Sequence, residues 1–330
     1  MILKNMTTAA DSLLWLLFYF SVNLTLTIHN KAVLQLYRFP FPWTLTAIHI
    51  MCSTLGCSAL SAFGVFRPVA CSPRDMIKIL GFSILYTVNI AVSNISLSMV
   101  TVPFHQVVRS IAPIVTMVLS SLFWRHSHGT KTWISVLPTI VGVSLTTLGD
   151  YDYTSAGLIL TILGTVLASL KTILTNKLQV SDRSSQKAKL GPLDLLYIMS
   201  PPALAQTLVY VYASGEFATL SEYWADPGLR RSSLLGALVF NGSIAFALNF
   251  VSFTANRKLG PLMMGVAANM KQVLSVGLAV AVFDLRIGAI NALGIVLTLA
   301  GGAVCTYVEL ERKNILSRGQ NEPILVLSKP

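Results

Sequence analysis

Charge is what this sequence lacks. Only 11% of its 330 residues are Asp, Glu, Lys or Arg, against about 25% in a typical soluble domain. Acid is the scarcer half, with 13 Asp and Glu to 24 Lys and Arg. Set against 54% hydrophobic residues, this leaves too little polar surface to keep a chain of this length in water. A secreted protein, a nucleic-acid binder and an ordinary cytosolic enzyme are therefore excluded. Cysteine is scarce too: Cys52, Cys57, Cys71 and Cys305 form no CxxC pair. They imply no disulfide framework and read as packing thiols. The chain has no P-loop, no GxSxG and no GxGxxG. His126 and His128 form an HxH pair without an evident third metal ligand. No cofactor or metal is implied, and no acid–base pair or nucleophile constellation lies in an apolar segment, so the chain is not expected to be an enzyme. The first ten residues, MILKNMTTAA, are too short and too weakly basic for a transit peptide.

What is present is a series of ten apolar segments, at 12–37, 42–63, 76–99, 102–124, 132–149, 155–178, 192–214, 232–254, 260–284 and 286–308. Each is about as long as the roughly 20 residues that a membrane span requires. Proline and charge mark most boundaries: Pro40 and Pro42, then Arg67, Pro68, Pro73 and Arg74, then Pro103, and later GDYDYTS and VSDRSSQKAKLGP. Ten spans with both tails on one side place 16 bases on that side and 4 on the other. Cytoplasmic loops collect Lys and Arg, so both termini are expected in the cytosol. The four NxS/T sequons, at Asn5, Asn23, Asn94 and Asn241, then fall in spans or on the cytosolic side, where glycosylation is not expected.

The halves echo each other. IHNKAVL closes the first segment and LTNKLQV the sixth, each with an Asn-Lys pair, Asn30-Lys31 and Asn176-Lys177. VVRSIAPIVT in the fourth has a counterpart in NMKQVLSVGL in the ninth, and the fifth and tenth share glycine-rich centres. Five spans per half is an odd number, so the halves run in opposite orientations, as in many secondary transporters with a site at the repeat interface. The expected fold is an all-α membrane protein of ten transmembrane helices arranged as a 5+5 inverted repeat. Its parts are a cytosolic N-terminus at 1–11, repeats at 12–149 and 155–308, and a cytosolic tail at 309–330.

The 16 and 4 account for 20 of the 24 bases. Lys31, Arg109, Lys171 and Lys271 remain, each inside an apolar segment and none with an equally deep Asp or Glu. A base in a span costs about 2.5–3.5 kcal/mol on insertion scales and normally faces a cavity or a partner. Four bases without a carboxylate call for an anion, and phosphate suits Arg as a bidentate acceptor and Lys as a point charge. Lys31 lies close enough to its span end to snorkel instead. Asn30, His105, Gln106 and Gln272 lie on the same segments, and Asn249 on the eighth. They suit hydrogen bonds to a sugar, base or phosphate, and equally suit a role between helices. Two rivals stand beside phosphate-anion transport at this point: a phosphate-independent small-metabolite or drug exporter, and a non-transporting receptor or structural membrane protein.

The segments IHNKAVL, VPFHQVVRSIAPIVT, GDYDYTSAGLILTILGTVLASLKTILTNKL and LNFVSFTANRKLGPLMMGVAANMKQVLSVGLAVAVF resemble the triose-phosphate/phosphate translocator family, in its fungal-type form. That family belongs, with the nucleotide-sugar transporters, to the drug/metabolite transporter superfamily. The resemblance covers residues 12–312. It implies the drug/metabolite transporter fold, alternating access with obligatory exchange, and phosphate bound by bases in the fourth, sixth and ninth helices, here Arg109, Lys171 and Lys271. Where plastid members carry Lys-Arg this chain has Lys271-Gln272; His105-Gln106 replaces Thr-His, and Leu248 replaces a Tyr. These departures put a nucleotide-sugar beside a sugar phosphate as the expected substrate. The expected partners are that substrate, a phosphate-containing counter-substrate and membrane lipid, with a homodimer left open and no nucleic acid. The expected location is the Golgi or endoplasmic reticulum membrane.

Overall fold

A computed structural model describes residues 2–100, 102–125, 127–146, 154–180, 190–225, 231–283 and 288–319. These form twelve helices: α1 (Ile2–Gln35), α2 (Pro42–Ala62), α3 (Pro73–Met99), α4 (Val102–Arg109), α5 (Ala112–Trp124), α6 (Thr130–Thr146), α7 (Ser155–Gln179), α8 (Pro192–Ala213), α9 (Glu216–Ala225), α10 (Arg231–Leu259), α11 (Pro261–Phe283) and α12 (Ala289–Gly319). Seven stretches are long and apolar enough to cross a membrane: Asp11–Leu34, Pro42–Ala62, Pro73–Met99, Phe104–Trp124, Ser155–Gln179, Arg231–Leu259 and Ala289–Glu309. They fall on seven of the ten apolar segments. The described residues of the segments at 132–149, 192–214 and 260–284 carry α6, α8 and α11. The outer surface carries Leu14, Leu17, Ile77, Leu122, Val209 and Val239, all more than half exposed, as a lipid-facing belt requires. The chain is an integral membrane protein.

Local chemistry sets the helix starts. Proline opens α2, α3, α8 and α11, where its missing N–H costs nothing. The Ser72 hydroxyl caps α3 by accepting from the Asp75 amide. Thr154 caps α7 in the same way, accepting from Gly157 at 3.1 Å. The short α9 does not follow from the apolar pattern. It presents Glu216 to the start of α2, where the carboxylate accepts from the Trp43 and Thr44 amides at 3.0 and 2.7 Å and from the Thr44 hydroxyl at 2.7 Å. Glu216 thus satisfies orphan donors of a helix remote in sequence.

The helices pack in pairs across the two halves of the chain. α1 lies on α10, α3 on α7, α2 on α8 and α6 on α12. The last pair depends on glycine: a Cβ on Gly142 would come 2.5 Å from the Thr298 amide nitrogen, and one on Gly301 would come 2.7 Å from that of Thr139. In the bundle, Leu16, Tyr19 and Phe20 of α1 meet Val251, Ala255 and Met263 of α10 and α11. Cys57 packs with Phe82 and Met199, and Cys305 with Met117 and Val136. Both thiols are buried and free, as their apolar surroundings predict.

Candidate functional site

The fourth apolar segment reads as one span, but its helix is in two pieces. Pro113 has no N–H to return to the carbonyl of Arg109, so α4 ends at Arg109 and α5 starts at Ala112. Broken backbone at membrane depth is tolerated only where its polar groups find other partners. Here two other helices supply them. The Asn269 side chain of α11 donates to the Ser110 carbonyl at 2.8 Å, and the Ser169 hydroxyl of α7 donates to the Ala112 carbonyl at 3.2 Å. α11 approaches closely because position 265 is glycine, whose Cβ position lies 3.4 Å from the Pro113 backbone.

This brace sets three cations around the break. Arg109 is the last residue of α4, Lys171 is two residues beyond Ser169, and Lys271 is two beyond Asn269. Lys171 lies within electrostatic range of both Arg109 and Lys271, and Lys271 within range of Arg109. Arg109 donates to the Ser93 hydroxyl at 2.9 Å. The Lys171 ammonium stands 5.1 Å from the centre of the Tyr86 ring. The Tyr86 hydroxyl donates to Asn249 at 3.4 Å, and Asn249 donates to the Ser53 hydroxyl at 3.1 Å. The described ion pairs are Lys78–Asp75, Lys258–Asp11 and Arg312–Glu309, so none of them involves the three cations.

The other expected residues divide. His105 meets the Ser96 hydroxyl at 3.2 Å and lies within electrostatic range of Arg109. Gln106 gives its backbone carbonyl to the Ser110 amide at the break. Gln272, next to Lys271, keeps a buried side-chain carbonyl with no hydrogen-bond partner among the described residues. Asn30 goes elsewhere, to Asn241 of α10, which donates to Asn30 at 2.8 Å and to His29 at 2.9 Å and accepts from His49 at 2.5 Å. The side chain of Lys31 lies outside the described residues, as does His126. Among the described residues no group of three His, Cys, Asp or Glu could hold a metal. His128 instead pairs with the Ser120 hydroxyl at 3.0 Å.

In the sequence Tyr86 and Asn89 of the third segment stand only as weak polar candidates, and Ser93 and Ser96 do not stand out, yet α3 supplies partners to the cations. Tyr86, Asn89, Ser93 and Ser96 recur along α3 at steps of three, four and three residues, which is one helix face. Asn89 donates to the Gly164 carbonyl of α7 at 3.0 Å. The polar periodicity of α3 was the available signal.

Comparison with known proteins agrees with this architecture. The model of the Triose-phosphate Transporter family matches residues 10–307, and the chain belongs to that family. Two of its relatives come from Arabidopsis thaliana. The GDP-mannose transporter GONST5 is 29% identical, over 95% of this chain and 89% of its own length. The UDP-galactose transporter 1 is also 29% identical, over 90% of this chain and 85% of its own. The chloroplastic xylulose 5-phosphate/phosphate translocator of the same plant is 26% identical, over 94% and 73%. A solved crystal structure superposes with a TM-score of 0.63 at 13% identity, covering 92% of this chain and 99% of that one, which is a likeness of fold alone. These named relatives are transporters and translocators, and the chain belongs with them and not with enzymes.

Proposed function

We propose that this protein is a secondary-active antiporter that exchanges a phosphorylated organic anion, a sugar phosphate or a nucleotide-sugar, for a phosphate-containing counter-substrate. The observation that carries the reading is the meeting of Arg109, Lys171 and Lys271 at a broken helix, with no described carboxylate paired to them. Three cations held this way repel one another and lack counter-charge, and a phosphate relieves both conditions. Arg109 offers a planar fork, the two lysines point charges. His105, Gln106, Asn249 and Gln272 suit the sugar or base end of such a substrate. The names of the relatives, which include two nucleotide-sugar transporters and a sugar-phosphate translocator, support the same class.

Exchange follows from desolvation. Closing an empty cavity over three cations strips them of water without compensation, whereas a bound anion neutralises them and permits the passage. The empty carrier therefore stays on one side until it is loaded. The moving parts in this reading are the halves 12–149 and 155–308, related as inverted five-helix repeats. The cross-half pairing of α1 with α10 and α3 with α7 supports it, since an inverted repeat exchanges those two contacts. The excess of bases on one side supports cytosolic termini, and the likeness to nucleotide-sugar transporters favours a Golgi or endoplasmic reticulum membrane.

The test is counter-exchange in proteoliposomes loaded with inorganic phosphate, sugar phosphates or nucleotide-sugars. Uptake should require a phosphorylated compound inside. Uptake of neutral solutes alone, indifferent to internal phosphate, would overturn the reading.

A further inference from the structure

A second polar site lies away from the three cations, where α5, α7 and α10 end and α11 begins. It is a pocket of about 320 Å³ walled in part by Trp124, Lys177, Arg257, Lys258, Glu309 and Arg312. Its bases differ in how they are held. Arg312 is paired with Glu309 at 2.9 Å, and Lys258 with Asp11. Lys177 and Arg257 form none of the described ion pairs, and Lys177 stands 6.0 Å from the centre of the Trp124 ring. Gly260 and the first two residues of α11, Pro261 and Leu262, enter the wall, bringing the positive end of a helix dipole. The second oxygen of Glu309 is an acceptor without a partner among the described residues, on a residue 4% exposed that lines the same pocket.

We propose that this pocket is a loading site for a phosphate group that also carries hydroxyl donors. Lys177 and Arg257 take the phosphate beside the positive end of α11, and the free Glu309 oxygen takes a donor from the rest of the molecule. The site is separate from the exchange site. Six residues of α7 part Lys177 from Lys171, about 9 Å of helix rise. A phosphate held there lies one short step along α7 from the central cations. The ligand's class rests on the exchange reading above; the site itself rests on the pocket. Two sources could supply the phosphate, a dissolved sugar phosphate or nucleotide and the headgroup of an anionic lipid.

Trp124 offers a direct readout. The full chain, in phosphatidylcholine nanodiscs at constant ionic strength, is titrated with inorganic phosphate and with glucose 6-phosphate while tryptophan emission is followed. A saturable change is expected that disappears in Trp124→Phe. Replacing both Lys177→Gln and Arg257→Gln should raise the apparent Kd at least about tenfold, as loss of charge-assisted hydrogen bonds does, while the circular dichroism spectrum and melting temperature of the same double variant match those of the parent and show that the fold is intact. Glu309→Gln should narrow the preference for glucose 6-phosphate over inorganic phosphate. The arm with phosphatidylserine nanodiscs separates the sources. An unchanged phosphate response assigns the site to a dissolved ligand. A lost response, with phosphatidylserine retained in native mass spectra of the parent protein but not of the double variant, assigns it to a lipid headgroup. No response in either membrane, or a response indifferent to the double variant, overturns the proposal. Exchange by Lys171→Gln is measured in parallel: lost exchange with a retained tryptophan response separates the loading site from the exchange site.

Discussion

The polar clusters around Asn241 and around Arg109 are built on opposite plans. Around Asn241 every side-chain group of the asparagine is used: both amide hydrogens go to His29 and Asn30, and the carbonyl accepts from His49. The cluster needs no outside charge and joins α1, α2 and α10. Around Arg109 the side chains are under-used. Lys171 has an aromatic face, Arg109 a hydroxyl contact, and Lys271 no hydrogen bond among the described residues. Polar groups that satisfy one another act as glue. Polar groups held together without satisfaction cost folding energy, and in the proposed function a ligand completes them. Both clusters contain residues of the expected substrate set, Asn30 in one and Arg109 in the other, and the structure separates them by how completely each is partnered.

The comparison is broken most sharply at Lys271. Lys271→Ala should lower exchange by about two orders of magnitude, the scale of removing one charged partner from a buried ionic contact. The melting temperature should not fall, because the variant relieves repulsion with Arg109 and Lys171. Exchange measured beside thermal melting checks both halves. Retained exchange removes Lys271 from the site. Loss of exchange together with a large drop in melting temperature makes the cluster structural, like that of Asn241.

Pro113→Ala comes next. It restores an amide that can return to the Arg109 carbonyl and so favours a continuous α4–α5 helix. Stability should hold or rise. Exchange should fall by about tenfold, because re-aiming a binding group by an ångström has costs on that scale. The brace from Asn269 and Ser169 opposes the repair, and Asn269→Leu in the same chain should deepen the loss.

Asn241→Leu tests the other cluster. It leaves His29, Asn30 and His49 without their shared partner. Stability should drop by about 1–2 kcal/mol, the usual cost of stranded buried polar groups, which thermal melting reads. Exchange per folded molecule should stay within about threefold, below the scale of a lost charge-assisted bond. A severe loss of exchange without loss of stability would move Asn30 and Asn241 into the substrate site.

The sequence made these two clusters only partly distinguishable. Helix edges set by proline were readable, since Pro42 and Pro192 stand at the first residue of α2 and α8, where the missing N–H costs nothing. The four intramembrane bases were readable because charge is so rare in the chain. The break at Ser110 was not, although Pro113 was in view: proline in a span signals a kink, and only the partners on α7 and α11 show that it is a gap. α9 was hidden because its helix is short and its contact through Glu216 to α2 spans more than 170 residues. α12 runs to Gly319, past the apolar segment's end at 308, because the spacing of Glu309 and Arg312 supports helix where hydropathy has already failed. Partnership of the asparagines was beyond reach, since Asn30 and Asn249 look alike in sequence and differ only in what the fold sets opposite them.

The smallest effect sharpens the comparison at its edge, where the charged cluster touches neutral partners. Tyr86 has two roles that one atom separates. Its ring lies under the Lys171 ammonium, and its hydroxyl donates to Asn249 across 3.4 Å. A bond that long is weak, so Tyr86→Phe should change the apparent KM by only about twofold. Tyr86→Leu removes the ring as well. A desolvated cation–π contact is worth about 2 kcal/mol, so the KM should shift by about tenfold or more. If instead Tyr86→Phe proves as damaging as Tyr86→Leu, the hydroxyl chain through Asn249 to Ser53 carries the function, and the boundary between glue and site runs through α10 instead of along α3.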